Sequence, residues 1–256
     1  MRTCFAFCRK EWREQIRSGR LLILGILFFL FGVMNPAVAK LTPWLLEAMA
    51  DSMAESGMIV TAVSVDALTS WTQFYKNIPM ALIVFILMQS SVFTREYGDG
   101  TLIVPLTKGL ARWNVVLGKA GTLLVMWTAG YWLCYGVTFG YNAWFWDNAI
   151  AQNLLFSAFC WWLFGVWTVM LTVLYSVLAS ANAAVLCGVG ATVLAGYLVT
   201  LFPKPASYSP AYLMNAGALM MGTASPGDYT AAVLVTLGWS LLCVAVSIPV
   251  FNRKQL

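Results

Sequence analysis

Long apolar stretches, separated by short charged segments, are the dominant pattern along this chain. No Asp, Glu, Lys or Arg occurs among the 54 residues from Ile150 to Pro203. Shorter charge-free stretches cover residues 21–39, 77–94, 120–146 and 229–252. A charged side chain at the centre of a bilayer costs about 2.5–3.5 kcal/mol. The pattern therefore predicts segments that cross a membrane.

The length of each stretch sets the number of membrane crossings. A helix needs about 20 apolar residues to span the hydrocarbon core, so the longest stretch is long enough for two helices. Apolar and polar residues do not alternate along these stretches as they do in the strands of a transmembrane barrel. A lipid-facing backbone must also satisfy its own hydrogen bonds, as a helix does. We therefore predict an all-α integral membrane protein, in which residues 1–256 form one transmembrane domain. The six predicted spans lie near 21–39, 77–94, 115–141, 152–180, 183–203 and 229–251.

Charge distribution predicts the orientation of these spans. Six crossings place both termini on one side, together with the loop 95–114, and we assign Lys119 to that side as well. This side has twelve Lys and Arg residues against four acidic residues, whereas the other side has three basic and six acidic residues, so +8 and −3 sum to the net charge of +5. Basic flanks face the cytoplasm. We therefore expect a multi-pass protein of the cell membrane with both termini cytoplasmic.

Composition excludes several functions. Hydrophobic residues make up 61% of the chain and charged residues 10%, which is not compatible with a soluble domain. There is no histidine and no GxxxxGK[ST] loop, and the long apolar stretches contain no acidic or basic residue. These absences predict no catalytic residue, no metal site and no cofactor in this chain. Energy for uphill transport would have to come from another polypeptide.

The pattern of residues 1–20 predicts an amphipathic helix that lies along the membrane surface. We call it the elbow helix, because the chain turns after it into the first span. An apolar face recurs at spacings of three and four over Phe5, Cys8, Trp12, Ile16 and Gly19. A basic face lies beside it. Such helices bury one face at the acyl boundary and place arginines near anionic headgroups. The predicted interface residues, in contact with headgroups or a cytosolic partner, are Arg9, Trp12, Arg13 and Arg17. Pro36-Ala37-Val38-Ala39 is similar to a signal-peptide cleavage site, and cleavage there stays open as an alternative.

The segment from Arg95 to Trp113 is the one sizeable loop predicted on the cytoplasmic side. Gly98 and Gly100 favour a tight turn, Thr101 is suited to cap a following helix, and Pro105 would limit that helix. The other turn on this side, near residues 180–183, is minimal. A soluble ATPase would therefore have to bind the 95–113 loop.

This loop resembles that of bacterial ABC type-2 permeases, the membrane subunits of two-component ABC exporters. The resemblance includes an acidic residue followed by Gly-Thr, a proline and Thr-Lys-Gly, and it extends to the RKEWREQIRSGR segment, Asn35-Pro36 at the end of the first span and the six-span plan. It implies that residues 95–104 form a coupling helix that fits a cleft in an ABC ATPase. Glu96, Gly100 and Thr101 match the family pattern residue by residue. The ATPase-coupling residues implied are Arg95, Glu96, Tyr97, Gly98, Asp99, Gly100, Thr101 and Leu102.

The same resemblance implies the partners. ATP and Mg would bind to the ATPase subunit, and two permease chains would form a homodimer or heterodimer, with no nucleic acid involved. A substrate path would lie at the dimer interface between the second and fifth spans. The residues expected to line it are Met80, Phe85, Gln89, Thr192, Tyr197 and Thr200.

Two segments are predicted outside the cell. Glu47, Asp51 and Glu55 recur every four residues in 40–76, opposite Leu45, Met49 and Met53, which predicts a helix on the outer leaflet. Residues 203–228 include four of the nine prolines. The residues predict an irregular, partly buried loop there, and the resemblance implies short helices that partly re-enter the membrane.

We expect an exporter of a hydrophobic or amphipathic substrate, because the predicted path has no charge. An amphipathic or antimicrobial peptide, or a drug, is favoured by the resemblance alone. Two alternatives stay open. One is a membrane anchor or sensor subunit for an ATPase without transport, and the other is a lipid-modifying membrane enzyme, which would need a nucleophile or an acid–base pair near the interface.

Overall fold

The fold is entirely helical over the residues that the computed structural model describes, which are 2–48, 65–102, 106–107 and 109–254. The α-helices are α1 (Arg2–Arg17), α2 (Arg20–Ala48), α3 (Ala67–Gln89), α4 (Thr94–Gly98), α5 (Arg112–Phe145), α6 (Leu154–Leu178), α7 (Asn182–Thr200), α8 (Pro203–Ala206), α9 (Gly217–Met220) and α10 (Thr230–Arg253). Short 3₁₀ helices cover Asn148–Ile150, Pro210–Ala216 and Pro226–Tyr229. Six of the α-helices, α2, α3, α5, α6, α7 and α10, are long and apolar enough to cross a membrane. This confirms the prediction of an all-α membrane protein with six spans.

Helix α6 is the central helix of the bundle and packs against α5, α7 and α10. Aromatic side chains fill the space around it, and two of those on α5 donate to the backbone of α6. Trp127 Nε1 donates to the carbonyl oxygen of Trp162 at 3.1 Å, and the Tyr131 hydroxyl donates to that of Ala158 at 2.7 Å. Such pairing is required where no water is available. Only glycine fits at Gly165, since a Cβ there would lie 2.1 Å from the Trp127 ring.

Helix α2 continues through Pro36 to Ala48, nine residues beyond the predicted end of the first span at residue 39. A proline inside a helix leaves the carbonyl of the residue four positions earlier, here Gly32, without its amide donor. The Thr138 hydroxyl of α5 donates to that carbonyl oxygen at 3.0 Å. Asn35 donates to Thr138 Oγ1 at 3.1 Å and accepts from Asn77 of α3 at 2.9 Å. The polar contacts around Pro36 therefore join three spans and keep the helix continuous.

Helix α3 begins at Ala67 rather than near residue 77. Asp66 caps it, since its carboxylate accepts from the Thr69 amide at 2.9 Å. Of the predicted outer-leaflet helix, residues up to Ala48 belong to α2, with Glu47 on its surface. Asp51, Glu55, Met49 and Met53 lie outside the described residues.

The segment 203–228 folds into short helices against α6 and α10. Leu213, Leu219 and Met220 are buried there. The carbonyl of Ala216 accepts from Ser157 at 2.7 Å, and that of Met214 accepts from Trp161 at 3.0 Å. These side chains satisfy backbone groups that no regular helix would satisfy. The segment is partly buried, as predicted, and its re-entry into the membrane stays a prediction.

Both ends of the chain lie at one end of the bundle, which we call the terminal end. Phe7 of α1 packs against Gly118 of α5, where a Cβ would come within 2.8 Å of the ring. Arg112, at the start of α5, donates to the carbonyl oxygens of Phe251 at 3.0 Å and of Lys254 at 2.7 Å. The start of α5 is therefore in contact with both termini.

Candidate functional site

The loop after α3 lies at the terminal end, and its predicted coupling residues divide into an exposed set and a buried set. Arg95 and Asp99 are exposed and lie 3.6 Å apart, and Thr101 is exposed beside them. Glu96 and Leu102 are buried, and Tyr97 is half-buried. The turn depends on Gly100, which has a φ of +63°, while Gly98 is the last residue of α4. The exposed set forms a small surface on the terminal end, and the buried set holds it in place.

Glu96 belongs to a cluster of ionised side chains inside the protein. Its carboxylate lies 2.7 Å from Lys119 Nζ of α5 and 2.7 Å from Lys10 Nζ of α1. Glu11 of α1 lies 2.9 Å from Lys119 and 3.0 Å from Lys10. Relative exposure is 2% for Lys119, 3% for Glu11 and 6% for Glu96. We call Lys10, Glu11, Glu96 and Lys119 the buried ion cluster. Three members are buried, Lys10 closes the cluster at its exposed edge with 42% of its side chain exposed, and the cluster joins α1, α4 and α5.

This cluster is stable only because its charges are paired. Burial of the Lys10 ammonium lowers its pKa, but the hydrogen bond to Glu96 and the charge of Glu11 more than offset this, so the pKa of Lys10 is raised. Removing water from an ion costs several kcal/mol, and a buried pair with one member removed typically destabilises a protein by about 3–5 kcal/mol. The cluster therefore makes the attachment of α4 to α1 and α5 specific.

Three carboxylates, those of Glu11, Glu14 and Glu96, approach within 4.8 Å of one another. Such a group is the usual basis of a divalent cation site. Here the Lys10 ammonium contacts all three, with Glu14 at 3.3 Å, and Lys119 contacts two of them. The two ammonium groups occupy the place of a cation, and the chemistry of the cluster is structural.

Helix α1 contacts the bundle through a face that the sequence analysis did not predict. Phe7, Glu11 and Gln15 recur every four residues and are buried. The Gln15 amide lies against that of Gln89 in α3, at 3.4 Å. Of the predicted apolar face, Ile16 is 52% exposed, whereas Cys8 is half-buried. Arg9, Arg13 and Arg17 are also exposed, and Trp12 is half-buried.

Two further contacts attach α4 to the rest of the terminal end. The Thr94 hydroxyl is hydrogen bonded to Asn182, the first residue of α7. Lys254 Nζ lies 4.0 Å above the ring of Tyr97 and donates to the carbonyl oxygen of Val177 at 2.8 Å. Burial lowers the pKa of Lys254. Helix α4 is thus connected to α1, α5, α7 and the segment after α10.

The residues predicted to line a substrate path do not share one surface. Met80 and Tyr197 are exposed, whereas Phe85 and Gln89 are buried inside the protein. Thr192 and Thr200 are half-buried, and Thr192 Oγ1 lies 2.7 Å from the Tyr175 hydroxyl. Their role in a path stays a prediction.

The structure instead has a cavity of about 330 Å³ between α3, α6 and α7. Its lining is almost entirely carbon and includes Ile83, Leu87, Trp161, Leu186 and Val193. Helix α7 closes it on one side and leaves most of its own apolar surface uncovered, with Leu194 58% and Leu198 49% exposed. The sequence analysis did not predict this cavity or the uncovered surface of α7. The residues that form them follow no pattern that distinguishes them from the other apolar residues of the spans.

Sequence reasoning missed most of the residues that attach α4 to the rest of the bundle, and it missed them for one reason. Lys10, Glu11, Lys119 and Lys254 were counted as flanking charges that set topology, and Lys119 proves to be one of the most buried side chains in α5. The available signal was that Glu11 and Glu96 are two of only four acidic residues on a strongly basic side.

Comparison with known proteins agrees with this architecture. The family model for "ABC-2 family transporter protein" matches residues 5–256. The chain is also similar to "Uncharacterized transmembrane protein YxlG" of Bacillus subtilis (strain 168). The two are 25% identical over 264 residues, which cover 95% of this chain and 93% of YxlG. The family match includes the whole buried ion cluster and all six spanning helices.

Proposed function

We propose, since this chain belongs to the family of ABC-2 transporter proteins, that it is the membrane-spanning permease subunit of an ATP-driven exporter. Members of this family are transport subunits without a catalytic site of their own, and they generally pair with an ABC ATPase. ATP and Mg would then bind to that partner. The chain would supply the path across the membrane.

The observation that carries this proposal is the division of the loop after α3. Arg95, Asp99 and Thr101 form an exposed surface at the terminal end. Glu96 lies behind that surface and fixes it to α1 and α5 through the buried ion cluster. A surface that is exposed and also rigidly attached to the spans is suited to receive a displacement from an ATPase. We assign the ATPase contact to this exposed surface and the transmission of force to Glu96.

Orientation follows from charge. The side that we assign to the cytoplasm has twelve basic and four acidic residues. Both chain ends lie at the same end of the bundle as the α4 surface. A cell-membrane protein with cytoplasmic termini places this surface where a soluble ATPase can reach it.

The uncovered surface of α7 supports a second permease chain. An apolar helix that packs against its own chain on one side leaves its remaining surface to lipid or to another subunit. We propose a homodimer, or a heterodimer with a paralogue, with α3 and α7 near the interface. The carbon-lined cavity beside α7 suits a hydrophobic or amphipathic substrate. The preference for an amphipathic peptide depends on the family resemblance alone.

Affinity purification of the chain from its native membranes in mild detergent tests the pairing. We expect a stoichiometric partner with a P-loop, identified by mass spectrometry. Recovery of the intact chain without such a partner would contradict the proposal. If the partner is present but its ATP hydrolysis does not respond to any apolar or amphipathic compound, the chain is an anchor subunit rather than an exporter.

Cross-linking then tests the contact surface. A cysteine in place of exposed Thr101 should cross-link to the ATPase. The matched control is a cysteine in place of Thr223, which is exposed near the opposite end of the bundle. Both variants are compared with the native chain, which has six cysteines. Equal cross-linking from both positions would rule out the assignment of the α4 surface.

A further inference from the structure

A second groove lies on the outside of the bundle, between α2 and α5 and away from the cavity beside α7. Its volume is about 450 Å³. Gly136 and Gly140 form the floor, since nothing lies within 4 Å of a Cβ built at either position. Aromatic rings form the walls, with Phe29 on one side and Tyr141 and Phe145 on the other. Because glycine has no side chain, Gly136 and Gly140 leave a depression beside these rings that an acyl chain can occupy.

The length of the groove matches one leaflet of a bilayer. From Gly136 to Phe145 the axis of α5 advances roughly 13 Å at about 1.5 Å per residue. Half of the hydrocarbon core is about 15 Å thick. Trp144 ends the groove and is 83% exposed, as is usual for a tryptophan at the membrane interface. The groove therefore extends from near the bilayer centre to the headgroup region, away from the terminal end.

A cation lies at the headgroup end of the groove. Lys40 of α2 is exposed, and its ammonium lies 3.6 Å above the ring of Phe145, which is itself a wall of the groove. None of the ion pairs among the described residues involves Lys40. Asp147, close along the chain, directs its carboxylate to the Ala149 amide at 2.9 Å. A ring face positions an ammonium but does not neutralise its charge.

We infer that this groove binds an acidic phospholipid of the outer leaflet. One acyl chain lies over Gly136 and Gly140 between the aromatic walls, and the phosphate pairs with Lys40. An apolar groove of leaflet length, with a cation at its interfacial end that forms no ion pair with a described residue, complements a phospholipid. An uncharged hydrocarbon or a purely apolar helix would leave Lys40 without a counter-charge.

Native mass spectrometry of the purified full-length chain tests this inference, with phosphatidylglycerol and phosphatidylcholine of identical acyl chains as probes. The native chain should retain phosphatidylglycerol in preference to phosphatidylcholine. Lys40→Gln should weaken retention of phosphatidylglycerol about fivefold, the effect of one basic residue at a lipid surface. It should leave retention of phosphatidylcholine nearly unchanged.

Gly136→Leu tests the acyl-chain part, because a Cβ at this position meets open space and the leucine side chain would occupy the floor. It should reduce retention of both lipids. Two matched controls should behave like the native chain. Gly121→Leu alters a glycine of the same helix that also faces open space, and Lys76→Gln removes another exposed lysine.

The inference is overturned if the two lipids are retained equally, or if Lys40→Gln and Lys76→Gln give the same loss. It is also overturned if Gly136→Leu changes the oligomeric mass and not lipid retention, since the groove would then be a protein interface. None of these readouts depends on the ATPase or on transport. Failure here is therefore distinguishable from failure of the exporter proposal.

Discussion

Replacing Lys119 by Met should destabilise the protein far more than a surface charge change. Lys119 is 2% exposed and contacts both Glu11 and Glu96. Met has a similar length and is compatible with an apolar surrounding, so the change removes charge more than volume. It leaves two buried carboxylates with Lys10 as their remaining cation.

The size of the effect follows from burial. Removing one partner of a buried ion pair typically costs about 3–5 kcal/mol. For a chain of this size each kcal/mol lowers the melting temperature by about 2–4 °C, so the expected decrease is roughly 6–20 °C. The comparison is Arg95→Gln, which breaks a pair whose members are both more than half exposed. Such a pair contributes about 0–1 kcal/mol.

Thermal unfolding in detergent, followed by intrinsic tryptophan fluorescence, measures both variants against the native chain. A double-mutant cycle with Glu96→Gln then isolates the coupling between Glu96 and Lys119, expected at about 0.5–3 kcal/mol. If Lys119→Met lowers the melting temperature no more than Arg95→Gln does, the cluster is not a structural attachment. Zero coupling in the cycle would contradict the contact between α4 and α5.

Two further changes test the packing of the spans by the same unfolding measurement. Thr138→Val removes the donor to the carbonyl that Pro36 leaves free and should cost about 1–3 kcal/mol. Thr172→Val is its control and should be nearly neutral, because the Thr172 hydroxyl only supplements a helical hydrogen bond. Gly165→Ala should cost about 1–3 kcal/mol, since its Cβ would meet the Trp127 ring at 2.1 Å. Gly121→Ala is its control, because a Cβ at Gly121 would meet open space. An equal loss of stability from both substitutions would show that close packing at Gly165 is not the cause.

The number of spans could be predicted from the sequence because lipid disfavours charge along most of each crossing. The continuation of α2 to Ala48 could not, because a helix continues past a proline most readily where the carbonyl that the proline frees finds another donor. That donor, Thr138, lies 106 positions after Gly32 in the sequence. The buried ion cluster was missed for the same reason, because Lys119 and Glu11 are separated by 108 positions. Hydropathy is a property of one segment at a time. It carries no information on which segments contact each other.

The contacts of α4 determine how that helix is able to move. Displacing α4 alone would break the pairing of Glu96 with Lys10 and Lys119, leave charges unpaired in a buried site, and separate Thr94 from α7. Displacing it together with α1, the start of α5 and the start of α7 keeps these contacts intact. The lower-energy motion is therefore the common one. Helix α7, most of whose surface is uncovered by the residues that the structure describes, offers the least packing resistance to such a displacement.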